Sequence, residues 1–231
     1  MNAKLLHYEC NFRTEKCNYC NGVTIKHGST KKGSQRRKCK LCKKTQVTTY
    51  IYKAYNTNIN NRITQLTKEG LGIRSTARVL QISTTTLLKR LLQIADAIPR
   101  PVISKHKTYE VDELCTYVKR KSRQVWVVYA LERSTKAVVS FAVGARTTKT
   151  LHIVTQTLLN AEAKAIHTDR LRQYASLIPD NIHHSKRFGT NHIERRNLSL
   201  RTHLKRLARR SICFSKSKAI LSAVLKIYFW A

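Results

Sequence analysis

Tyr109-Glu110-Val111-Asp112-Glu113-Leu114-Cys115-Thr116-Tyr117-Val118 reads as a β-strand, dense in β-branched and aromatic residues. It also holds three of the twelve carboxylates in a chain of 231 residues. Working outward, Val125 to Leu131 and Lys136 to Val143 read as two more strands, joined as a hairpin around Ser134-Thr135. Residues 147–162 suit a helix with Leu151, Val154, Leu158 and Leu159 on one face. Lys164 to Thr168 is a short strand ending at Asp169, and residues 170–177 suit a helix stopped near Pro179. Asn181 to Lys186 is a last strand. A long helix then runs from about Asn191, with Ile193, Leu200, Leu207 and Phe214 repeating every seven residues.

Three strands, helix, strand, helix, strand, helix is the element order of a ribonuclease-H-like α/β fold, a mixed central sheet flanked by helices, expected here over 107–231. In that fold the first and fourth strands lie side by side. Asp112 sits midway along the first, Asp169 at the end of the fourth, and Glu194 near the start of the last helix. Three carboxylates meeting there can hold two Mg²⁺ (or Mn²⁺) ions about 4 Å apart, which activate a nucleophilic oxygen and stabilise the leaving one. Each acid has a structural alternative. Glu110 shares a strand face with Asp112 and competes for the ligand role, Asp169 can cap the following helix, and Glu194 can pair with Arg195 or Arg196.

The charge balance narrows the partner. Lys and Arg number 45 against 12 Asp and Glu, a net charge of +33, which points to a polyanion, most simply nucleic acid held through its phosphates. Residues 26–44 carry nine cations and no acid, and residues 186–218 carry eleven, with Glu194 as the lone acid. The 42% of hydrophobic residues, in patterned segments, excludes a disordered polycation. No apolar run reaches the roughly 18 residues of a membrane span, and Met1-Asn2-Ala3-Lys4 opens no signal-peptide stretch. A cytoplasmic, DNA-associated protein is expected.

Toward the N-terminus, Cys17-Asn-Tyr-Cys20 and Cys39-Lys-Leu-Cys42 are two knuckles with eighteen residues between them. A two-residue gap lets both thiolates reach one ion, so Cys17, Cys20, Cys39 and Cys42 are expected to hold Zn²⁺ in a ribbon over 10–50. Gly28, Gly33 and alternating Val23/Ile25 suit a β-ribbon between the knuckles. Cys10 is poorly spaced as a ligand, and Cys115 and Cys213 are expected to be buried small residues. Residues 59–95 read as three helices: Ile63, Leu66 and Thr67 on the first, Ile73, Ala77 and Leu80 on the second, and Leu87, Leu88 and Leu91 on the third. Ser83 or Thr84 can cap the third. This is a helix-turn-helix pattern over 59–98, or else a plain three-helix bundle. A DNA-reading third helix would present Thr84, Thr85, Thr86, Lys89 and Arg90 to the major groove. Pro99-Arg100-Pro101 ends it and sets the expected domain boundary.

Taken together, these segments resemble the insertion-sequence-one family of bacterial transposases over nearly the whole chain. The resemblance rests on Cys17/Cys20…Gln35-Arg36…Cys39/Cys42, on Glu110-Val-Asp112-Glu113 with Lys121-Ser-Arg123-Gln-Val-Trp126, and on Thr168-Asp169…Tyr174. It rests most on Ser185-Lys186-Arg187…Thr190…Ile193-Glu194-Arg195…Asn197…Leu200-Arg201…His203-Leu204 and Phe214-Ser-Lys216-Ser. Twenty-four residues separate Asp169 from Glu194, as in the family pattern. The resemblance implies a DDE transposase with Asp112, Asp169 and Glu194 as its triad. It implies metal-dependent cleavage at the element ends, joining of the freed 3′-hydroxyl to target DNA, recognition of terminal inverted repeats by the N-terminal modules, and at least a dimer acting on double-stranded DNA. Arg195, Arg201, Lys205 and Arg209 would then face phosphates, and Lys186 and Arg187 the flanking strand. His192 would position a water or lie idle on the surface. Two rival functions stand beside this one: a DNA-binding regulator whose second half only dimerises, and a ribonuclease-H-type nuclease without strand transfer.

Overall fold

The computed structural model describes residues 16–185 and 189–231, so Cys10, Lys186 and Arg187 lie outside the described residues. The chain forms two compact units, Met1–Ile59 and Asn60–Ala231. In the first, β1 (Thr24–Ser29), β2 (Gln35–Cys39) and β3 (Thr45–Val47) make an antiparallel sheet in that order. Gly33, at φ +82°, closes the β1–β2 turn with the Thr30 carbonyl accepting its N–H, a backbone conformation that a side chain would strain. The expected alternation does not extend along β1, where only the first residue is buried. Thr24 is buried, while Val23 and Ile25 face solvent. What this unit buries instead is sulfur: Cys17 and Cys39 are each 1% exposed.

The second unit begins with α1 (Ile59–Lys68), α2 (Ile73–Leu80) and α3 (Thr84–Ala97). Ile59, Ile63, Thr67, Thr76, Ala77, Leu80, Leu87, Leu91 and Ala95 are buried, while Leu66, Ile73 and Leu88, also expected on the core faces, are only half-buried. Gln81 takes a left-handed conformation to end α2, and Ser83 caps α3 by accepting the Thr86 N–H at 3.0 Å. Helix α3 stops just before Pro99, as the missing N–H of proline requires. The break is one of helix and not of compactness, because α3 packs against the last helix of the chain, α7 (Lys218–Trp230).

Between α3 and α7 in the sequence comes a mixed five-stranded sheet. Its strands are β4 (Thr108–Val118), β5 (Arg120–Glu132), β6 (Val138–Gly144), β7 (Ala165–His167) and β8 (His183–His184). The spatial order is β6-β5-β4-β7-β8, with β4, β5 and β6 antiparallel and β4, β7 and β8 parallel. Three helices complete the unit's second half: α4 (Thr148–Asn160), the single turn α5 (Arg172–Ala175) and α6 (Asn191–His203). Alternation along the strands gives each face its own core. On one, Tyr109, Val111 and Val128 pack with Leu151, Val154 and Leu158 of α4 and with Tyr174. On the other, Leu114, Val127 and Tyr129 pack with Ile193 and Leu200 of α6 and Leu221 and Leu225 of α7.

The expected long C-terminal helix is two helices. Helix α6 ends at His203, Leu204 turns extended, and a 3₁₀ turn over Lys205–Leu207 follows. Leu204 and Leu207 drop into the same core as Leu200, and the Arg201 guanidinium donates to the Leu207 carbonyl at 2.9 Å, holding the turn. Phe214, the fourth residue of the seven-residue repeat, leaves that core for an edge contact with Tyr117. The spacing was a coincidence of one core being fed by two kinds of backbone. Cys115 is half-buried and Cys213 exposed, so neither is the buried small residue expected. Among the described residues no helix is long and apolar enough to cross a membrane.

Candidate functional site

Strands β4 and β7 are parallel neighbours in register Glu110↔His167. Two residues further along each chain stand Asp112 and Asp169, at the same level of the sheet, where β7 has ended and β4 continues. The carboxylates of Asp112, Glu113 and Asp169 have oxygens within 4.8 Å of one another. Glu113, one position on from Asp112, faces the other side of β4. There Tyr174 donates its hydroxyl to Glu113 Oε1, and Arg146 donates to Glu113 Oε2 from Nε (3.2 Å) and Nη2 (2.9 Å). The same guanidinium lies 4.0 Å from Asp169 Oδ2 and 4.6 Å from the centre of the Trp126 ring.

Asp112 is tightly held. Its Oδ1 accepts the Glu113 N–H at 2.7 Å, and its Oδ2 accepts from Asn197 Nδ2 at 2.5 Å. Asn197 is oriented in turn by the buried Tyr129 hydroxyl, which donates to its Oδ1 at 2.8 Å. Burial pushes the Asp112 carboxyl up to about 6, and the nearby Glu113 and Asp169 add to the rise. Burial likewise raises Glu113, against the hydrogen bond from Tyr174. Asp169 Oδ1 accepts the Leu171 N–H at 3.0 Å, so it anchors the turn into α5 while its other oxygen faces Arg146.

Glu194 does not join this group. It lies exposed in the first turn of α6, and its Oε1 accepts from the Thr190 hydroxyl at 2.9 Å. Asn197, three residues on and so on the same helix face, is the α6 residue that touches Asp112. Glu110 is fully buried with both oxygens engaged: His192 Nδ1 at 2.6 Å and Arg133 Nε at 3.2 Å from Oε1, and the Ile193 N–H at 2.9 Å to Oε2. It has no face open to a cation, which separates it from Asp112. His192 is thereby a partner of Glu110 rather than an idle surface group. Glu113, Arg146 and Asn197 went unassigned in the sequence. Glu113 carried a signal in its adjacency to Asp112, and Asn197 in its helical spacing from Glu194. Arg146, after β6, carried none.

In the first unit the Sγ atoms of Cys17 and Cys42 are 3.5 Å apart, as are those of Cys20 and Cys39, and all four lie within 4.8 Å of one another. Four thiolates about 2.3 Å from a central Zn²⁺ require S–S separations near 3.8 Å, so the cluster fits such an ion. The Tyr19 N–H, 3.4 Å from Cys17 Sγ, holds that thiol below its ordinary range. Oxygen donors at Asp112, Glu113 and Asp169 suit a hard divalent cation such as Mg²⁺. On α3, Thr84, Thr85 and Lys89 are exposed, Arg90 is half-buried, and Thr86 shares a hydrogen bond with Ser83. Arg195, Lys205 and Arg209 are exposed, whereas Arg201 turns inward to the carbonyls of Leu207 and Cys115.

A mixed α/β unit with three carboxylates gathered beside two adjacent parallel strands, β4 and β7, defines the class, an α/β protein whose clustered oxygens could hold a hard cation. The comparisons are more specific. Residues 107–230 match the IS1 transposase family. The insertion element iso-IS1n protein InsB of Shigella dysenteriae is 36% identical over 116 residues, 50% of this chain and 88% of its own. The insertion element IS1 protein InsB of Shigella flexneri is 40% identical over 119 residues, 52% of this chain and 91% of its own. Among solved structures, a chain of a simian T-cell lymphotropic virus intasome in complex with a PP2A regulatory subunit overlaps 70% of this chain and 66% of its own. Its 18% identity and TM-score of 0.37 are too loose to place any element. The chain belongs to the IS1 transposase family.

Proposed function

We propose that the chain is a DDE transposase that binds the terminal inverted repeats of its element and performs metal-dependent cleavage and joining of DNA strands. The observation that carries this reading is the meeting of Asp112 and Asp169, far apart in sequence, at one level of two adjacent parallel strands. The strand order and flanking helices support a ribonuclease-H-like catalytic domain over 107–231. Residues 10–50 act as a zinc ribbon and 59–98 as a helix-turn-helix module, with α3 carrying Thr84, Thr85, Lys89 and Arg90 toward DNA.

Asp112 and Asp169 would hold divalent cations, and Glu194, which here accepts from the Thr190 hydroxyl, would complete the set by leaving that partner for the site. Bound Mg²⁺ (or Mn²⁺) supplies activation of the nucleophilic oxygen and stabilisation of the leaving one. Asn197 fixes which oxygen of Asp112 faces the site, and Tyr129 fixes Asn197. Arg146 offsets the charge of Glu113 and Asp169. In the first step a water oxygen attacks phosphorus at the element end and the 3′-oxygen leaves as a hydroxyl. In the second that hydroxyl attacks a target phosphorus and displaces its 3′-oxygen. Arg195, Lys205 and Arg209 hold the strands by their phosphates. Acting on the two ends together would use at least two copies of the chain.

One terminal-repeat duplex, a second duplex as target, and Mg²⁺ test the proposal. Joining of the cut end to the second duplex is the expected result. Cleavage without joining would make the protein a nuclease, and binding without either a regulator.

A further inference from the structure

Each acid of the triad stands two residues beyond a member of one hydrogen-bonded network centred on the buried Glu110. Glu110 precedes Asp112 on β4, His167 precedes Asp169 at the end of β7, and His192 precedes Glu194 at the start of α6. Arg133, just after β5, joins them: its Nε lies 3.2 Å from Glu110 Oε1 and its Nη1 3.1 Å from His167 Nε2. Glu110 reaches the third element twice, through His192 Nδ1 at 2.6 Å and the Ile193 N–H at 2.9 Å. That backbone N–H belongs to the open end of α6, where the helix dipole favours a negative charge.

We propose that Glu110 and Arg133 form a clamp that sets the spacing of the three acid-bearing elements, with Glu110 and Arg133 as positioning residues for the metal site. The inference rests on the triad reading above. Sheet pairing already ties β4 to β7 over three residue pairs, but no strand pairing ties α6 to either. The clamp adds a charged link beside the Asn197–Asp112 hydrogen bond, and it alone of the two also reaches β7, through Arg133 and His167. Glu110 is fully buried, so removing its partners would strand a charge without solvent. The geometry of the network is therefore self-enforcing. It also explains why a chain so poor in acids keeps one carboxylate where no cation from solution can reach it.

The test uses the full-length, zinc-loaded chain with Glu110→Gln, Arg133→Gln and the double variant. Mn²⁺ binding is read by electron paramagnetic resonance, together with kcat and KM on a terminal-repeat duplex and thermal unfolding. Glutamine keeps an acceptor for the Ile193 N–H but breaks the ion pair. The expected result is Mn²⁺ affinity and kcat each lower by about tenfold in either single variant, the scale seen for groups that orient metal ligands. KM for DNA is unchanged. The double variant, with neither charge stranded, recovers part of the loss, so the two effects are not additive. Variants that unfold at lower temperature but bind Mn²⁺ as the wild type does would overturn the clamp and leave Glu110 a fold-stabilising residue. A wild type that holds no Mn²⁺ at all would instead sink the triad reading, and the clamp with it.

Discussion

Asp112 shows most directly how the site's electrostatics bear on the fold. Its carboxyl ordinarily loses its proton near 3.8, but in the folded chain burial and two neighbouring carboxylates raise this to about 6. Between those values the folded state holds a proton that the unfolded state has released. Stability therefore falls as pH rises through that window and the loss is complete above it, on the order of 3 kcal/mol. Asp112→Asn removes the titration. In Mg²⁺-free buffer it should gain stability relative to the wild type as pH rises from 4 to 7, measured by urea unfolding at each pH, and a flat difference would contradict the assigned cause. The same variant should lose strand cleavage by at least about a thousandfold while binding repeat DNA normally, since the ions do the chemistry. Adding Mg²⁺ should reverse the neutral-pH penalty in the wild type and not in the variant, visible as a rise in Tm. The residue-level assignment of Asp112 over Glu110 was open in the sequence, because both share a strand face. What favours Asp112 is its surroundings, which no pattern records: Glu110 is fully buried against α6 and Arg133, whereas Asp112 is only half-buried, beside Glu113 and Asp169.

At the level of elements, the strands of the sheet and the cap of α3 were readable because their signals are local. Alternation marks a strand and a serine before an apolar stripe marks a helix start. The split of α6 from α7 was not readable, because it depends on Arg201 supplying a hydrogen bond to Leu207 across a turn. Arg201→Ala should therefore lower stability by about 1–2 kcal/mol, as an unpaired buried carbonyl would, with little change in the salt dependence of DNA binding. Lys205→Ala, at an exposed cation, should do the reverse: unchanged Tm, and a log–log salt slope shallower by about 1. Identical behaviour of the two variants would show that the inward turn of Arg201 does not govern its role. In the first unit the sulfur cluster takes the place of an apolar core, so Cys39→Ser should unfold residues 16–59 and abolish repeat binding. Circular dichroism and a gel-shift assay on the full chain would show it.

Across the whole molecule, the helical triplet and the sheet unit touch where sequence offered no hint. Gly70, at φ +73°, lies so close to α6 that a Cβ there would stand 2.4 Å from the His203 carbonyl oxygen. Gly70→Ala should cost more than about 1 kcal/mol through the conformation alone, and the clash adds to it. A variant as stable as the wild type would mean that this approach is not made in solution. The proline pair after α3 was read as a domain boundary, but helix-to-helix packing is a long-range property, invisible until α7 is seen lying against α3. Helix α7 also roofs one face of the sheet that bears the carboxylates. If α3 grips DNA as proposed, the grip and the cutting point are braced by the same beam. The number of base pairs from recognition sequence to scissile bond is then a fixed dimension of the fold, as in a caliper whose jaws share one bar, and lengthening the loop around Pro99 would not change it.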